Sequence, residues 1–241
     1  MKRYIQEISA ELKKHVDLKF KRGSIRFFKE EINPIGVRTD IAKRIANNFY
    51  SKHKKEFSKK QWIGLCESLW EEETGNSKLP CMEYGMIVTV FMKKIVRQLE
   101  KKDFFLFERW IDKYITNWAH CDLLCSGAVG EIIRKHDELS KETLKWTKSK
   151  NRWKKRASSV CYIKLSKEKQ FLPIIFKTAE LLIKDNDDLV QKGYGWALKD
   201  ASKWHRKEVI AFLIRNKDMP RTALRYACER LTKEEKQKIL Y

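Results

Sequence analysis

Four side chains are of types that could do chemistry together: Trp118, Asp122, Arg156 and Trp196. Trp118 and Asp122 belong to the run Asn117-Trp118-Ala119-His120-Cys121-Asp122, which the local pattern predicts to be helical. Residues at i and i+4 share a helix face, so the indole and the carboxylate should project side by side. An aromatic face attracts cations, a carboxylate stabilises positive charge, and an arginine fork fits phosphate oxygens. Taken alone, the pair reads first as a half-buried core tryptophan beside a capping or surface aspartate. Spacing adds a second clue: Arg156 follows Trp118 by 38 residues and Trp196 follows Arg156 by 40. Both steps match one helical hairpin of a repeat protein, which would put the residues at corresponding places along one wall.

The elements that would position them follow from composition. Nine Gly and four Pro in 241 residues are too few for the tight turns of a sandwich or barrel, and Leu, Ile, Lys, Glu and Ala abound. The expectation is an all-α fold. Apolar positions recur at helical spacing, as in Ile63, Cys66, Leu69 and Trp70, and in Ile87, Val88, Phe91 and Ile95. Breaks are expected at 33–36, 74–77, 137–140, 185–188 and 218–220, with Ser140 and Ser166 as helix starts. No Gly/Ser-rich or Pro-rich linker divides the chain, so residues 1–241 are read as one continuous domain. About twelve helices in hairpins of roughly 40 residues would stack as an α-solenoid of HEAT or armadillo-like units with a concave binding face. Trp62, Trp70, Trp110, Trp146, Trp153 and Trp204 fall among the apolar positions and are expected in the core. His120 points about 200° away from Asp122 at the helical 100° per residue, and is read as a surface or packing residue rather than a base.

Charge narrows the partner. Lys and Arg number 53 against 32 Asp and Glu, a formal +21. Such an excess is the footprint of nucleic-acid binding, because basic side chains on phosphates release condensed counterions. Eleven of the cations and only two Glu lie between Lys141 and Gln170, around Arg152-Trp153-Lys154-Lys155-Arg156. A solvated helix face and a phosphate-binding stripe are both open for that run. No apolar run approaches the ~18 residues of a membrane span, and MKRYIQEISAELKK lacks a signal peptide's apolar core. A cytoplasmic protein without a membrane partner is expected. The six cysteines include one close pair, Cys121 and Cys125, and read as free buried thiols rather than zinc ligands.

Five segments, in order, resemble the AlkD-type DNA alkylation repair glycosylases, a family of HEAT-like repeats. They are Phe27-Phe28-Lys29 leading to Pro34-Ile35-Gly36-Val37-Arg38-Thr39, Trp118-x-x-x-Asp122, Arg152 to Arg156, Gln191 to Leu198, and Arg221 to Ala227. The resemblance runs from about residue 20 to 230. It implies that Trp118 and Trp196 flank the lesion's sugar-phosphate backbone, that Asp122 is the catalytic carboxylate, and that Arg156 contacts phosphate. Arg38, Arg152, Lys154, Lys155, Lys192, Lys199, Arg221 and Arg225 become candidate DNA contacts. The implied partner is double-stranded DNA carrying alkylated bases, bound by a monomer that uses no metal and no other cofactor. The implied reaction is hydrolysis of the N-glycosidic bond of cationic N3- and N7-alkylpurines, such as 3-methyladenine and 7-methylguanine. Many relatives carry an acid directly after the tryptophan, where this chain has Ala119 and then His120. With Asp122 present, that departure is read as affecting substrate range. The alternatives are a non-catalytic helical-repeat protein that binds DNA structures or RNA, and a peptide-binding scaffold.

Overall fold

In the computed structural model, which describes residues 1–75 and 77–240, the last by its backbone alone, the chain is all-helical. The described residues form no strand, only isolated bridges such as Asn33 with Cys81. Two compact units divide it, Met1–Ala128 and Val129–Tyr241.

The first unit contains α1 (Lys2–Lys13), α2 (Leu18–Phe27), α3 (Thr39–His53), α4 (Lys59–Glu71), α5 (Met82–Lys94), α6 (Asp103–Tyr114) and α7 (Trp118–Leu124). Alternate helices pack on each other, α1 on α3, α3 on α5 and α5 on α7, while α4 also lies against α1 and α5. The sequence explains several boundaries. Asp17 starts α2 by accepting the Phe20 amide, and Ser58 with Gln61 forms a reciprocal capping box on α4. Helix α1 buries Ile5, Ile8 and Leu12 on one stripe. Its stripe joins a cluster in which Phe49, Phe57, Trp62 and Phe91 are all buried. Each such side chain contributes about 1.5–3 kcal/mol when removed from water.

Helix α2 differs from its neighbours. It buries none of its residues, and Leu18, Ile25 and Phe27 are exposed. It is tethered instead at its start, where the Asp17 amide donates to the Gly36 carbonyl at 2.8 Å. Gly36 has φ +112°, and a Cβ there would stand 2.9 Å from the Lys21 Cβ, so only glycine allows α2 this close. The segment around Gly36 hangs from α5: the buried Glu83 carboxylate accepts the amides of Ile35, Gly36 and Val37 at 2.8, 2.8 and 2.9 Å.

The second unit contains α8 (Gly130–Lys135), α9 (Ser140–Trp146), α10 (Arg152–Val160), α11 (Leu172–Leu182), α12 (Asp188–Ala201), α13 (Arg206–Arg215), α14 (Arg221–Ala227) and α15 (Lys233–Leu240). Alternate packing recurs for α10 on α12, α12 on α14 and α13 on α15, while α11 lies against both α10 and α12. Helix α12 is the hub. A Cβ at Gly195 would lie 2.8 Å from both the Ala223 carbonyl oxygen and the Tyr226 Cβ, so α14 approaches to backbone contact.

The expected breaks at 33–36 and 218–220 fall between helices, as do 74, 75 and 77, while residue 76 lies outside the described residues. The break at 137–140 holds a 3-10 turn and Ser140 already opens α9, and that at 185–188 runs into the first residue of α12. The helices outnumber the expected twelve because many are only six to eight residues long. Ser166 is not a helix start: its hydroxyl donates to the Ile163 carbonyl and closes a turn. Trp204 is not core but 62% exposed, since it sits in the turn after α12 rather than on a helix stripe. The other five tryptophans assigned to the core are buried, and so are all six cysteines, which are free thiols. Among the described residues no helix is long and apolar enough to cross a membrane.

Candidate functional site

Asn117 sets the start of α7. It is fully buried, and its Oδ1 accepts the His120 amide at 2.9 Å, so the helix begins at Trp118. Trp118 and Asp122 therefore occupy consecutive turns of one face, and both are half-buried. The sequence expectation for this pair holds in its local geometry.

What the spacing did not reveal is the company Trp118 keeps. Phe28, just past the end of α2, stacks on the indole with centroids 5.0 Å apart and planes at 14°. Phe27 meets it edge-on at 6.0 Å and is itself 71% exposed. The two phenylalanines belong to the family-like motif, but nothing in their position along the chain ties them to residue 118. Beneath this trio lies a cavity of about 360 Å³, mostly apolar, lined by Phe20, Ser24, Val37, Ala42, Met86, Trp118 and Ala119. Ala119, the departure from the family pattern, is thus one wall of that space. Arg38, exposed on the same unit, places its guanidinium over Phe20 at 5.5 Å and 3.1 Å from Asp17. The Phe20 amide and then Arg38 hold the Asp17 carboxyl below its usual range.

The second unit places Arg156 on α10 and Trp196 on α12, neighbouring helices. Trp196 is half-buried. Arg156 is buried, 5% exposed, and its Nη1 donates to the Leu189 carbonyl. Its Cγ would lie 3.2 Å from a Cβ at Gly193, so glycine makes room for the arginine stem. Arg156 thereby fastens α10 to the first turn of α12, a structural task that the sequence did not suggest.

The basic run around it is arranged against the acidic turn at 185–188. Arg152 pairs with Asp187 at 2.6 Å, Lys155 pairs with Asp185, and Lys192 pairs with Asp188 at 3.0 Å. Burial raises the Asp187 carboxyl, but the Arg152 hydrogen bond and the Leu189 amide outweigh it, leaving the group below its usual range. Lys154 is half-buried. Farther along, Lys199 pairs with Glu229 at 2.8 Å, while Arg221 and Arg225 on α14 are exposed and enter no ion pair among the described residues. These pairs are partly covered, so each holds its cation more firmly than a fully exposed pair, which contributes about 0–1 kcal/mol.

An all-helical chain with a formal charge of +21 suits a protein that handles DNA. The chain is a member of the DNA alkylation repair enzyme family, whose sequence pattern matches residues 8–231. Two solved structures share the fold. One, described as a predicted DNA alkylation repair enzyme from Enterococcus faecalis, is 14% identical with a TM-score of 0.78, covering 91% of this chain and 98% of its own. The other, smu.31 from Streptococcus mutans UA159, is 17% identical with a TM-score of 0.55, covering 80% of this chain and 99% of its own. No curated protein matches the sequence significantly.

Proposed function

We propose that this member of the alkylation repair family is a monofunctional DNA glycosylase acting on N3- and N7-alkylpurines in duplex DNA. The observation that carries the reading is Trp118 and Asp122 on one half-buried face of α7. A purine alkylated at N3 or N7 is cationic, so its glycosidic bond is weakened and the base departs without protonation. The remaining demand is to stabilise an oxocarbenium-like sugar and to direct water to it, which one carboxylate meets. Asp122 takes that role. Trp118 and Trp196 add cation-π attraction of about 0.5–2 kcal/mol each, depending on desolvation. Arg156 is the expected phosphate contact, and the eight further cations named above bind the duplex backbone. No metal takes part, the strand stays intact, and an abasic site is the product. The protein works as a monomer, and the concave face of a HEAT-like solenoid is the expected cradle for DNA.

The test is release of free base from methylated duplex, with enzyme in excess, by wild type and by Asp122→Asn. Wild type should release 3-methyladenine or 7-methylguanine, and the variant should lose nearly all of the rate while still binding the duplex. A fully active Asp122→Asn would sink the proposal. Tight binding without any release would point to a non-catalytic DNA-binding or RNA-binding protein.

A further inference from the structure

Helix α7 is the N-terminal end of a helical run that continues beyond Leu124 through a π-turn over Cys125–Val129. Where that end lies is set by the side chains on its buried side. The central one is His120, which has no exposed surface. Its ring meets Trp70 edge-on at 5.2 Å and lies directly over Gly85 of α5. A Cβ at Gly85 would come within 2.3 Å of the imidazole Cε1 and 2.4 Å of Nε2, so no other residue fits at 85 without expelling the ring.

Both ring nitrogens are engaged. The Nε2–H donates to the Met82 carbonyl at 2.9 Å, and Nδ1 accepts from the Asn117 Nδ2 amide at 3.1 Å. A carbonyl can only accept, which puts the proton on Nε2. The Asn117 Oδ1 already accepts the His120 backbone amide, which turns its NH₂ toward Nδ1. The imidazole is therefore neutral, in one tautomer, with each nitrogen satisfied. Burial agrees, holding its pKa down at about 4.

The partners on α5 have a second duty. Met82 and Glu83 form its first turn, and Glu83 carries the 35–37 segment that leads into Arg38. One turn of helix thus anchors both the element bearing Trp118 with Asp122 and the element bearing Arg38. We infer that His120, keyed over Gly85 and tied to Met82 and Asn117, is a positioning residue that sets Trp118 and Asp122 for base excision. The inference rests on the glycosylase reading for its catalytic consequence, but the placement itself can be tested without activity.

Four variants decide it: His120→Phe, His120→Gln, Gly85→Ala and, as a stability control elsewhere in the same unit, Leu65→Ala. Base release is measured in single turnover well below the lowest unfolding midpoint, beside affinity for undamaged duplex. His120→Phe and Gly85→Ala should lose on the order of a hundredfold in rate, as misplaced catalytic groups do, with duplex affinity held. His120→Gln keeps a donor for Met82 and should recover part of the rate, and Leu65→Ala should keep nearly all of it. A folded His120→Phe at the wild-type rate, or a Leu65→Ala equally slow at the same midpoint, overturns the inference.

The second readout is ¹⁹F NMR of protein labelled with 5-fluorotryptophan, the Trp118 resonance being assigned by Trp118→Phe. That resonance should move or broaden in His120→Phe and Gly85→Ala and stay in place in Leu65→Ala. If it stays put in all three, the inference fails whatever the activity. If wild type releases no base yet the resonance moves as expected, the placement is upheld and the glycosylase reading is what falls.

Discussion

Phe28 lies flat against Trp118, with ring centroids 5.0 Å apart and planes 14° from parallel, so one face of the indole is already covered within its own unit. A ligand meets the remaining face or the edge. Stacked pairs of this kind hold a ring's orientation, worth about 0.5–1.5 kcal/mol beyond the area they bury.

Phe28→Ala should release the indole and slow base release about tenfold, which raises the barrier by roughly 1.4 kcal/mol. Phe28→Tyr, which keeps the stack, should remain close to wild type. Single-turnover rates on methylated duplex check this, and an unaffected Phe28→Ala would show that Trp118 needs no help from α2.

Salt dependence separates the cations. Arg221 and Arg225 enter no ion pair among the described residues, so replacing either with Ala should reduce the slope of log K against log salt by about one for each phosphate left unneutralised. Arg152 and Lys192 are already paired with Asp187 and Asp188. Asp187→Asn removes a negative charge beside Arg152 and should therefore tighten duplex binding. Titrations at several salt concentrations distinguish these effects.

Glycine in α12 governs stability unequally. At Gly195 an added methyl meets the Ala223 backbone and Tyr226 Cβ at 2.8 Å, and neither can swing aside. Gly195→Ala should cost about 1–3 kcal/mol by overpacking. At Gly193 the nearest atom is the Arg156 Cγ at 3.2 Å, which need give only a few tenths of an ångström, so Gly193→Ala should cost less. Urea denaturation of both variants is the measurement.

His120 also gives a pH signature. Burial depresses its pKa to about 4 from 6.5. As pH falls below 6.5 the unfolded chain takes up a proton that the native ring refuses, so stability is lost until about pH 4 and then levels off. The loss is on the order of 3 kcal/mol. The stability difference between wild type and His120→Gln, followed from pH 7 to 4 by denaturant, should change by that amount. A constant difference would mean that the ring titrates normally.

Legibility in the sequence followed the range of the interaction. The helix carrying Trp118 and Asp122 was readable because the i, i+4 relation is local, although Asn117, read as part of that helix, is its cap. The breaks were readable for the same reason, since turn chemistry lies within a few residues. The Phe28 stack on Trp118 spans ninety positions of chain, and the pairing of α10 with the acidic turn at 185–188 spans about thirty. Neither leaves a trace in periodicity. Arg156 shows the limit most clearly, because its type and spacing suggested a phosphate contact while its burial and its bond to Leu189 also make it a brace. Trp204 departs from expectation because its place among apolar positions assigned it to the interior, whereas exposure depends on where a turn falls.

The six sequestered thiols turn the protein into its own clock. Cys66, Cys81, Cys121 and Cys125 are shut inside the first unit, and Cys161 and Cys228 inside the second. Burial pushes Cys81 up to about 12 and Cys66 well above its ordinary value, so neither offers a thiolate while folded. An alkylating probe marks each sulfur only during the moments when its surroundings open. Peptide mapping of the marks would time the breathing of each half separately, in one sample, without a single engineered label.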